Sequence, residues 1–520
     1  MVGVRWRFST RDLVVYIALT LVQLAAIGWA FSRLVHSGWS RGIATYTLLI
    51  PFIIAMVLVE TRWFTLPLMK VPVHQSASDG WRVAVVTTFV PGSEAIEMLD
   101  ETVRALVAMR YPHDTWVLDE GDDPDVRELC RRAGAHHATR RHRPEHQTAG
   151  GEFAARTKHG NYNAWLAVEG YDRYDVIVNV DPDHILQPDF LERTLGYLDD
   201  PDIGYVQAAQ AYYNQPASLI AQGAAEETYS YYSSIQMTSF AFGYPIVTGC
   251  HTVHRTTALR AIGGFCAHDA DDLLSTIYYR AERWRGVYVP EILGRGLTPV
   301  DWPSYLSQQR RWASSVLDVK FRIYPRMARR LRPTERIVSF IHGLTYLQGI
   351  GSALSLTLLC AALVHGWASS AGLMTTLAAP LAVAGALFAC DLFRQTFYLD
   401  RRHEWGIHWR AGLLRFAKWP WILLALADAI RGRARAYSIT RKTTSASRGR
   451  PQLAAVHLAV GGVVLASLVI GRAVGAHHPP ALLVLTGVYL LFTFGSAATE
   501  LIPPAQPFDP NLAARVRPVD

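Results

Sequence analysis

The segment from Ile337 to Cys390 contains no charged side chain, and this feature constrains the fold more than any other in the sequence. At 1.5 Å per helical residue the run would measure roughly 80 Å, which corresponds to two crossings of a bilayer joined by a turn. The turn is predicted at residues 365–372, where glycine and serine occur. An apolar run of this length exceeds what one soluble core needs, so the chain is predicted to be a membrane protein.

Four further uncharged segments raise the predicted number of membrane spans to six, two before residue 62 and four after residue 335. These segments are residues 13–32, 43–59, 453–471 and 482–499. The first is expected to be a retained helix, although a signal peptide is the alternative, because no small-residue cleavage site stands out and a second span follows closely.

The distribution of positive charge predicts the orientation of these spans. Three arginines precede the first span, and twelve Lys or Arg lie between Phe397 and Pro451. The positive-inside rule then places both termini and residues 61–335 on the cytoplasmic side of the cell membrane. The net charge of +8 follows from those flanks, so we expect membrane lipids as partners and no nucleic acid. Five scattered cysteines fit a reducing compartment.

The block between the two groups of spans alternates strand and helix patterns. Buried-type strands are predicted at Val83–Phe89, Thr115–Leu118 and Val176–Val180, and helices at 96–109 and 126–134. Repeated βα units predict a mostly parallel, doubly wound sheet. The predicted fold class is therefore α/β plus membrane α-helical, with the sheet inserted between the two groups of spans.

Polar residues follow three of these strands. Asp181 and Asp183 come directly after Val176–Val180, while Asp119 and Thr87 stand at the ends of the other two. The carboxyl ends of parallel strands open onto one edge, so these side chains are expected to converge on one ligand. Two carboxylates one residue apart can hold a hard divalent cation, which can hold a diphosphate, although an acidic pair at a strand end is often a solvated turn. A nucleotide diphosphate fits this edge.

Four ordered blocks add a resemblance. They are LDEGDD at 118–123, VDPD at 180–183, HDADDLL at 268–274 and QQRRW at 308–312. In this order, between two groups of spans, they resemble the motifs of membrane-embedded family 2 glycosyltransferases of the cellulose synthase and hyaluronan synthase type. The resemblance implies a GT-A domain, a nucleotide-sugar donor, a growing glycan acceptor, and Mg²⁺ or Mn²⁺ as the cofactor.

The resemblance also implies roles for individual residues. Asp269 is the expected catalytic base, although His268 stands where the family has glutamate, so Asp271 and Asp272 stay open as its counterpart. The expected metal ligands are Asp181 and Asp183. The expected donor-binding residues are Thr87, Glu94, Asp119, Lys158 and Arg311, and those for the acceptor are Gln308, Trp312, Cys250 and His251. For Glu94 and His268, solvated loop side chains are the alternative.

The segment 437–442 resembles the gating loop of cellulose synthases. Its expected gating residues are Tyr437, Ile439, Thr440 and Lys442, which could close over a bound diphosphate. An ordinary basic loop is the alternative.

These expectations divide the chain into seven parts. They are 1–62 (two spans), 63–300 (glycosyltransferase domain), 301–335 (interface helix region), 336–398 (two spans), 399–450 (interface helices and gating loop), 451–500 (two spans) and 501–520 (tail). The expected function is inverting, processive polymerisation of a UDP-sugar, UDP-glucose being favoured, with export of the product. The alternatives are transfer of one sugar to a lipid, and a transporter or receptor without enzymatic activity.

Overall fold

An eight-stranded sheet forms the centre of the soluble block. The computed structural model describes residues 2–36, 61–366, 373–432 and 451–501. The strands are β1 (Val4–Trp6), β2 (Lys70–Pro72), β3 (Val83–Phe89), β4 (Asp114–Asp119), β5 (His136–Ala138), β6 (Val176–Val180), β7 (Ile185–Leu186), β8 (Ile203–Tyr212), β9 (Thr252–Arg255) and β10 (Arg285–Gly296). Strands β1 and β2 form a separate antiparallel pair.

The large sheet has the order β5-β4-β3-β6-β9-β8-β10-β7. Strands β3, β4, β5 and β6 pair in parallel, and so do β8 and β10. Strand β9 runs antiparallel to both β6 and β8, and β7 runs antiparallel to β10. The prediction of a mostly parallel sheet is therefore confirmed, and β3 and β6 have the predicted bounds.

Helices cover both faces of this sheet. Odd residues of β3, such as Val83 and Val85, pack with Leu106 from one helix, whereas Ala84 and Val86 pack with Tyr162 from another. This two-sided burial explains why the strands are continuous apolar runs. The α-helices of this block are Ile96–Val107, Pro124–Ala133, Lys158–Trp165, Tyr171–Arg173, Phe190–Thr194, Leu219–Glu226, Gln236–Ala241, Thr256–Ala261 and Asp271–Ala281.

The strand register brings the predicted polar residues to one edge. Thr87 of β3 lies opposite Val117 of β4 and Val180 of β6, and Phe89 lies opposite Asp119. The residues that follow β6 therefore lie beside the carboxyl end of β3. This is the edge at which open α/β sheets bind ligands.

A helix after β10, Trp302–Asp318, connects the sheet to the apolar helices; we call it the interface helix. Asp301 caps its N-terminus by accepting a hydrogen bond from the Ser304 N–H, at 2.8 Å. Trp302 Nε1 donates to Thr499 Oγ1 at 3.0 Å, and Arg310 pairs with Asp428. The interface helix is therefore fixed to elements far away in sequence.

Five helices in the described part of the chain are long and apolar enough to cross a membrane. They lie within Thr10–Arg33, Pro333–His365, Leu377–Gln395, Gln452–Ala473 and Pro480–Leu501. They agree with five of the six predicted spans, and the predicted span at 43–59 lies outside the described residues. The remaining α-helices are Thr10–His36, Tyr324–Met327, Pro333–Ile341, Gln348–His365, Leu373–Gln395, Arg401–Glu404, Trp409–Ala417, Trp419–Arg431, Gln452–Ala473 and Pro480–Leu501.

Candidate active site

A cavity of about 840 Å³ extends from the polar edge of the sheet to the apolar helices. Its wall includes Asp181 after β6, Trp312 on the interface helix and Leu387 on a membrane-type helix. The predicted site residues that line it are Glu94, Lys158, Asp181, Asp183, Asp269, Gln308, Arg311 and Trp312. Residues that are far apart in sequence thus share one space.

Lys158 and Asp181 form an ion pair at the sheet edge. Lys158 begins a helix that Thr157 caps, and its Nζ lies 2.5 Å from Asp181 Oδ1. The same ammonium donates to the Gly249 carbonyl at 2.8 Å. Burial alone would lower the pKa of Lys158, because it disfavours the charged ammonium. The negative charge of Asp181 outweighs this effect, so the pKa of Lys158 is well above its ordinary value. A fixed positive charge therefore stands beside the first carboxylate.

Asp183 is almost fully buried and is held by its neighbours. The Leu297 N–H donates to its Oδ2 at 3.3 Å, and His184 Nδ1 lies 3.2 Å from its Oδ1. Asp181, Asp183 and His184 offer ligand atoms that all lie within 4.8 Å of one another. His184 Nε2 is buried and has no hydrogen-bond partner in the described residues. Two carboxylates and one imidazole are a donor set that fits Mn²⁺ and, through its oxygens, Mg²⁺.

Three carboxylates at the start of the helix Asp271–Ala281 also face the cavity. Asp269 is exposed, whereas Asp271 and Asp272 are partly buried. Burial, and then the charge of Asp271, raise the pKa of Asp272 to about 7. Burial likewise raises the pKa of Asp271, although Lys158 opposes that shift. Asp272 is therefore a carboxylate whose protonation changes near neutral pH.

Asp272 lies between the Lys158 pair and a group of tyrosines. Its Oδ2 lies 3.8 Å from the position that a Cβ would take on Gly249, the residue whose carbonyl binds Lys158. On the other side, burial and then the charge of Asp272 raise the pKa of Tyr231, which also lines the cavity. Asp272 therefore stands at the junction between the cation site and the membrane side of the cavity.

The interface helix supplies the opposite wall. Gln308, Arg311 and Trp312 line the cavity, and the Trp312 side chain is 39% exposed. Gln309 is buried, and its Oε1 accepts a hydrogen bond from Lys418 Nζ at 2.8 Å. The helix thus presents a guanidinium and an open indole face to the cavity.

Four predicted site residues lie behind the wall of the cavity. Thr87 is fully buried, and its neighbour Thr88 faces the cavity. Cys250 and His251 are also fully buried, and Thr248 and Gly249 take their place on the wall. The prediction of Thr87 misses the lining residue by one position, because alternate side chains of a strand point to opposite sides. Cys250 and His251 directly follow the lining residues, in a bend before β9.

The fourth of these residues, Asp119, lies at the same sheet edge but outside the lining. Its carboxylate accepts hydrogen bonds from the N–H groups of Gly121 and Asp123, at 2.8 and 2.5 Å. It also lies 3.2 Å from His137 Nε2. Asp119 therefore shapes the loop after β4. The predicted gating residues Tyr437, Ile439, Thr440 and Lys442 lie outside the described residues.

The sequence analysis missed two groups of lining residues. His184 directly follows Asp183, so a ligand search that included imidazole would have found it. Lys418 and Glu227 line the cavity and are joined at 2.8 Å, but 191 residues separate them and no local pattern marks the pair.

Comparison with known proteins agrees with this geometry. Residues 83–315 match the model of glycosyltransferase like family 2. Over 317 residues the chain is 25% identical to a cellulose synthase 1 catalytic subunit (UDP-forming) from Komagataeibacter xylinus, covering 58% of this chain and 40% of the relative. Over 243 residues it is 24% identical to a probable glucomannan 4-beta-mannosyltransferase from Oryza sativa, covering 43% of each.

A mannosyltransferase from Pyrobaculum calidifontis, solved with GDP-mannose and Mn²⁺, superposes with a TM-score of 0.46 and 16% identity. The aligned region covers 80% of this chain and all of that one. The chain spans less than half of the length of the curated relatives it matches.

The part of the chain that forms the sheet and most of the interface helix is therefore similar to glycosyltransferase like family 2. The similarity to a cellulose synthase catalytic subunit extends over more than half of the chain. These comparisons agree with the predicted family and with the predicted class of enzyme, a glycosyltransferase, and the mostly parallel sheet agrees with the predicted type of domain. The apolar helices agree with a membrane protein.

Proposed function

We propose that the protein transfers a sugar from a UDP-sugar to a glycan, with inversion at the anomeric carbon, and that it elongates and exports the product. One observation carries this proposal. A single cavity contains the Asp181 and Asp183 carboxylates, Asp272, and the Arg311 and Trp312 side chains, and it continues to the helices that can cross a membrane.

The donor diphosphate would bind near the carboxyl end of β6. Asp181, Asp183 and His184 would hold a divalent cation, which supplies positive charge to the diphosphate. Lys158 and Arg311 add fixed positive charge on the chain's own side chains. Arg311 suits this role because a guanidinium donates paired hydrogen bonds to phosphate oxygens.

We assign the general base to Asp272 in preference to Asp269. Asp272 removes the proton from the acceptor hydroxyl, the oxygen attacks the anomeric carbon, and the bond to the diphosphate breaks, so that UDP leaves with the electron pair. A carboxylate with a pKa of about 7 is a good base at neutral pH because its charged form is present and its affinity for the proton is high. The exposed Asp269 lacks that environment.

The acceptor would extend from Trp312 toward the membrane helices. The exposed indole face of Trp312 offers a surface on which a sugar ring can stack. A product that stays in the cavity between transfers would make each next transfer effectively intramolecular. This arrangement favours a polymer as the product, with glucose as the first candidate sugar. Further candidates are N-acetylglucosamine, glucuronate and, from its GDP-sugar, mannose.

Incubation of the full chain with a panel of radiolabelled nucleotide sugars tests this function. The expected result is UDP release with one UDP-sugar in the presence of Mg²⁺ or Mn²⁺, together with a ladder or a high polymer. A single lipid-soluble product would show that the enzyme transfers one sugar to a lipid and does not make a polymer. Failure of every nucleotide sugar to release its nucleotide would favour a transporter or receptor.

A further inference from the structure

The membrane end of the cavity contains a group of positively charged side chains that the proposed transfer does not use. They come from three separate segments: the start of the soluble block, the end of the helix Leu373–Gln395, and the helix Trp409–Ala417 with the residue that follows it. We call this region the cationic chamber and define it by the lining residues Arg62, Arg394, Arg415, Lys418, Glu227 and Asp391.

The two carboxylates of the chamber are already engaged. Both Glu227 oxygens lie close to Lys418 Nζ, at 2.8 and 3.0 Å, and Glu227 Oε1 lies 3.5 Å from Arg415 Nε. Asp391 accepts a hydrogen bond from Arg394. Among the residues that the structure describes, these pairs leave the chamber with more positive than negative side chains.

Arg62 shows the effect of this excess most clearly. Within the described ranges, the charged side chains that act on its guanidinium are those of Arg394 and Arg415. Burial first, and then the repulsion from these two arginines, lower the pKa of Arg62 to about 10. Arg62 and Arg394 are half-buried, and like charges that are held close together cost free energy unless an anion compensates them.

The chamber also contains an unused hydrogen-bond donor. Arg394 Nε is buried and has no hydrogen-bond partner among the described residues, although the same guanidinium pairs with Asp391. Buried polar groups in proteins are nearly always paired, so an unpaired donor on a cavity wall indicates a place for a ligand atom. An unpaired donor beside excess positive charge indicates an anionic ligand.

We infer that the cationic chamber binds a phosphate group carried by the acceptor. This inference rests on the proposed function and names the acceptor class for the same cavity. The Arg62 guanidinium and the unpaired Arg394 Nε offer donors of the kind that match phosphate oxygens. Leu387 and Cys390 of a membrane-type helix line the same cavity, so a glycan that is joined through phosphate to an isoprenyl lipid fits both the charge and the apolar surroundings, and its sugar keeps a hydroxyl for transfer. A glycosyl phosphate presents the same phosphate chemistry from a soluble source.

The donor diphosphate has its own cations. Lys158 and Arg311 stand near Asp181 and Asp183, and the charged partners of Lys158 are Asp181 and Asp271. The charged partners in the chamber are Glu227 and Asp391. The two ends of the cavity therefore offer separate anion sites, and donor and acceptor phosphate are expected to bind at the same time.

Binding of defined ligands to the full chain in lipid nanodiscs tests the inference. Farnesyl phosphate is expected to bind at least about tenfold more tightly than farnesol, because a charged pair of hydrogen bonds is worth about that factor. Arg62→Gln and Arg394→Gln should each weaken the binding of farnesyl phosphate by about tenfold, and Arg62→Lys should weaken it by less. Arg131→Gln, at a surface side chain that is 73% exposed, is the matched control and should leave binding unchanged.

Each other outcome has a defined meaning. Equal binding of farnesol and farnesyl phosphate overturns the inference, and so does displacement of farnesyl phosphate by UDP, which would place both in the donor site. Glucose 1-phosphate that matches farnesyl phosphate supports the phosphate site and assigns it a soluble source. The affinity for UDP, measured on the same samples, separates the two proposals. If the unaltered chain does not bind UDP, the proposed function is contradicted, whatever the result with farnesyl phosphate. The comparison of ligands on the unaltered chain decides the inference even where an arginine variant fails to fold.

Discussion

The donor end of the cavity and the cationic chamber differ in how they are built and in their charge. The donor end is formed by residues that follow the parallel strands of one sheet, and it is rich in carboxylates such as Asp181, Asp183 and Asp272. The chamber is assembled from helices that are far apart in sequence, and guanidinium groups dominate it. A cation site suits the acidic end, and an anionic acceptor suits the basic end.

This difference indicates that the two ends of the cavity bind different substrates, the donor at one end and the acceptor phosphate at the other. Changes at the donor end should lower the rate of transfer without weakening the binding of a phosphate in the chamber. Substitutions in the chamber should weaken the binding of the acceptor without affecting the affinity for UDP. The predictions below test that separation, beginning with the largest effect.

Asp272→Asn is expected to lower UDP-sugar turnover by about 1,000-fold, because a general base contributes roughly 10²- to 10⁴-fold. The affinity for UDP, measured by titration calorimetry, should stay within a factor of two or so of the original, since no charge of the cation site is removed. Farnesyl phosphate should also bind as before. Turnover near the original rate would show that Asp272 is not the general base. The proposed difference between the two ends of the cavity would then be contradicted.

Arg311→Lys is expected to lower turnover by about 100-fold, the usual loss when one group that stabilises developing charge is removed. Lysine keeps the charge but cannot donate the paired hydrogen bonds of a guanidinium. Steady-state kinetics should show the loss mainly in kcat, with farnesyl phosphate binding unaffected. A selective loss of farnesyl phosphate binding would instead assign Arg311 to the chamber.

The pH dependence of turnover should reflect Asp272. Its pKa of about 7 is raised, so the carboxylate is deprotonated above that pH and becomes protonated below it. The rate should therefore fall about tenfold per pH unit below 7, and level off above it. Rates measured between pH 5 and 9 check this, and an acid limb that begins near the ordinary carboxyl range would contradict the assignment.

Asp269→Asn should have the smallest effect, leaving turnover close to the original rate. Its side chain is exposed and lies outside the buried group formed by Lys158, Asp181 and Asp271. The same radiolabel assay compares this variant with Asp272→Asn. If Asp269→Asn proves the more damaging of the two, the base is Asp269, as the motif alone suggests.

Sequence patterns predicted the donor end better than the chamber, for a physical reason. Repeated βα units fix which strand ends meet, so Asp181 and Asp183 could be placed at the ligand-binding edge from their positions in the chain. Lys158 is assigned to the same site through the resemblance. Which of two neighbouring residues faces the cavity, such as Thr87 or Thr88, depends on local backbone direction that the pattern does not specify.

The chamber depends on tertiary packing, which leaves no local signal. Arg62, Arg394 and Arg415 appear in sequence as ordinary basic flanks of membrane spans, where arginine is common. Only the packing of helices from distant segments turns them toward one space. Asp272 is an intermediate case, because the motif identified its neighbourhood and burial distinguished it from Asp269.

UDP release by the full chain, measured with and without Mn²⁺, tests the central claim most directly. The account predicts release from one UDP-sugar that requires the cation, that is lost in Asp183→Asn, and that persists in Asp172→Asn, a control at a carboxylate that is 90% exposed. Equal release by Asp183→Asn and the unaltered chain, or release that ignores removal of the cation, would contradict it.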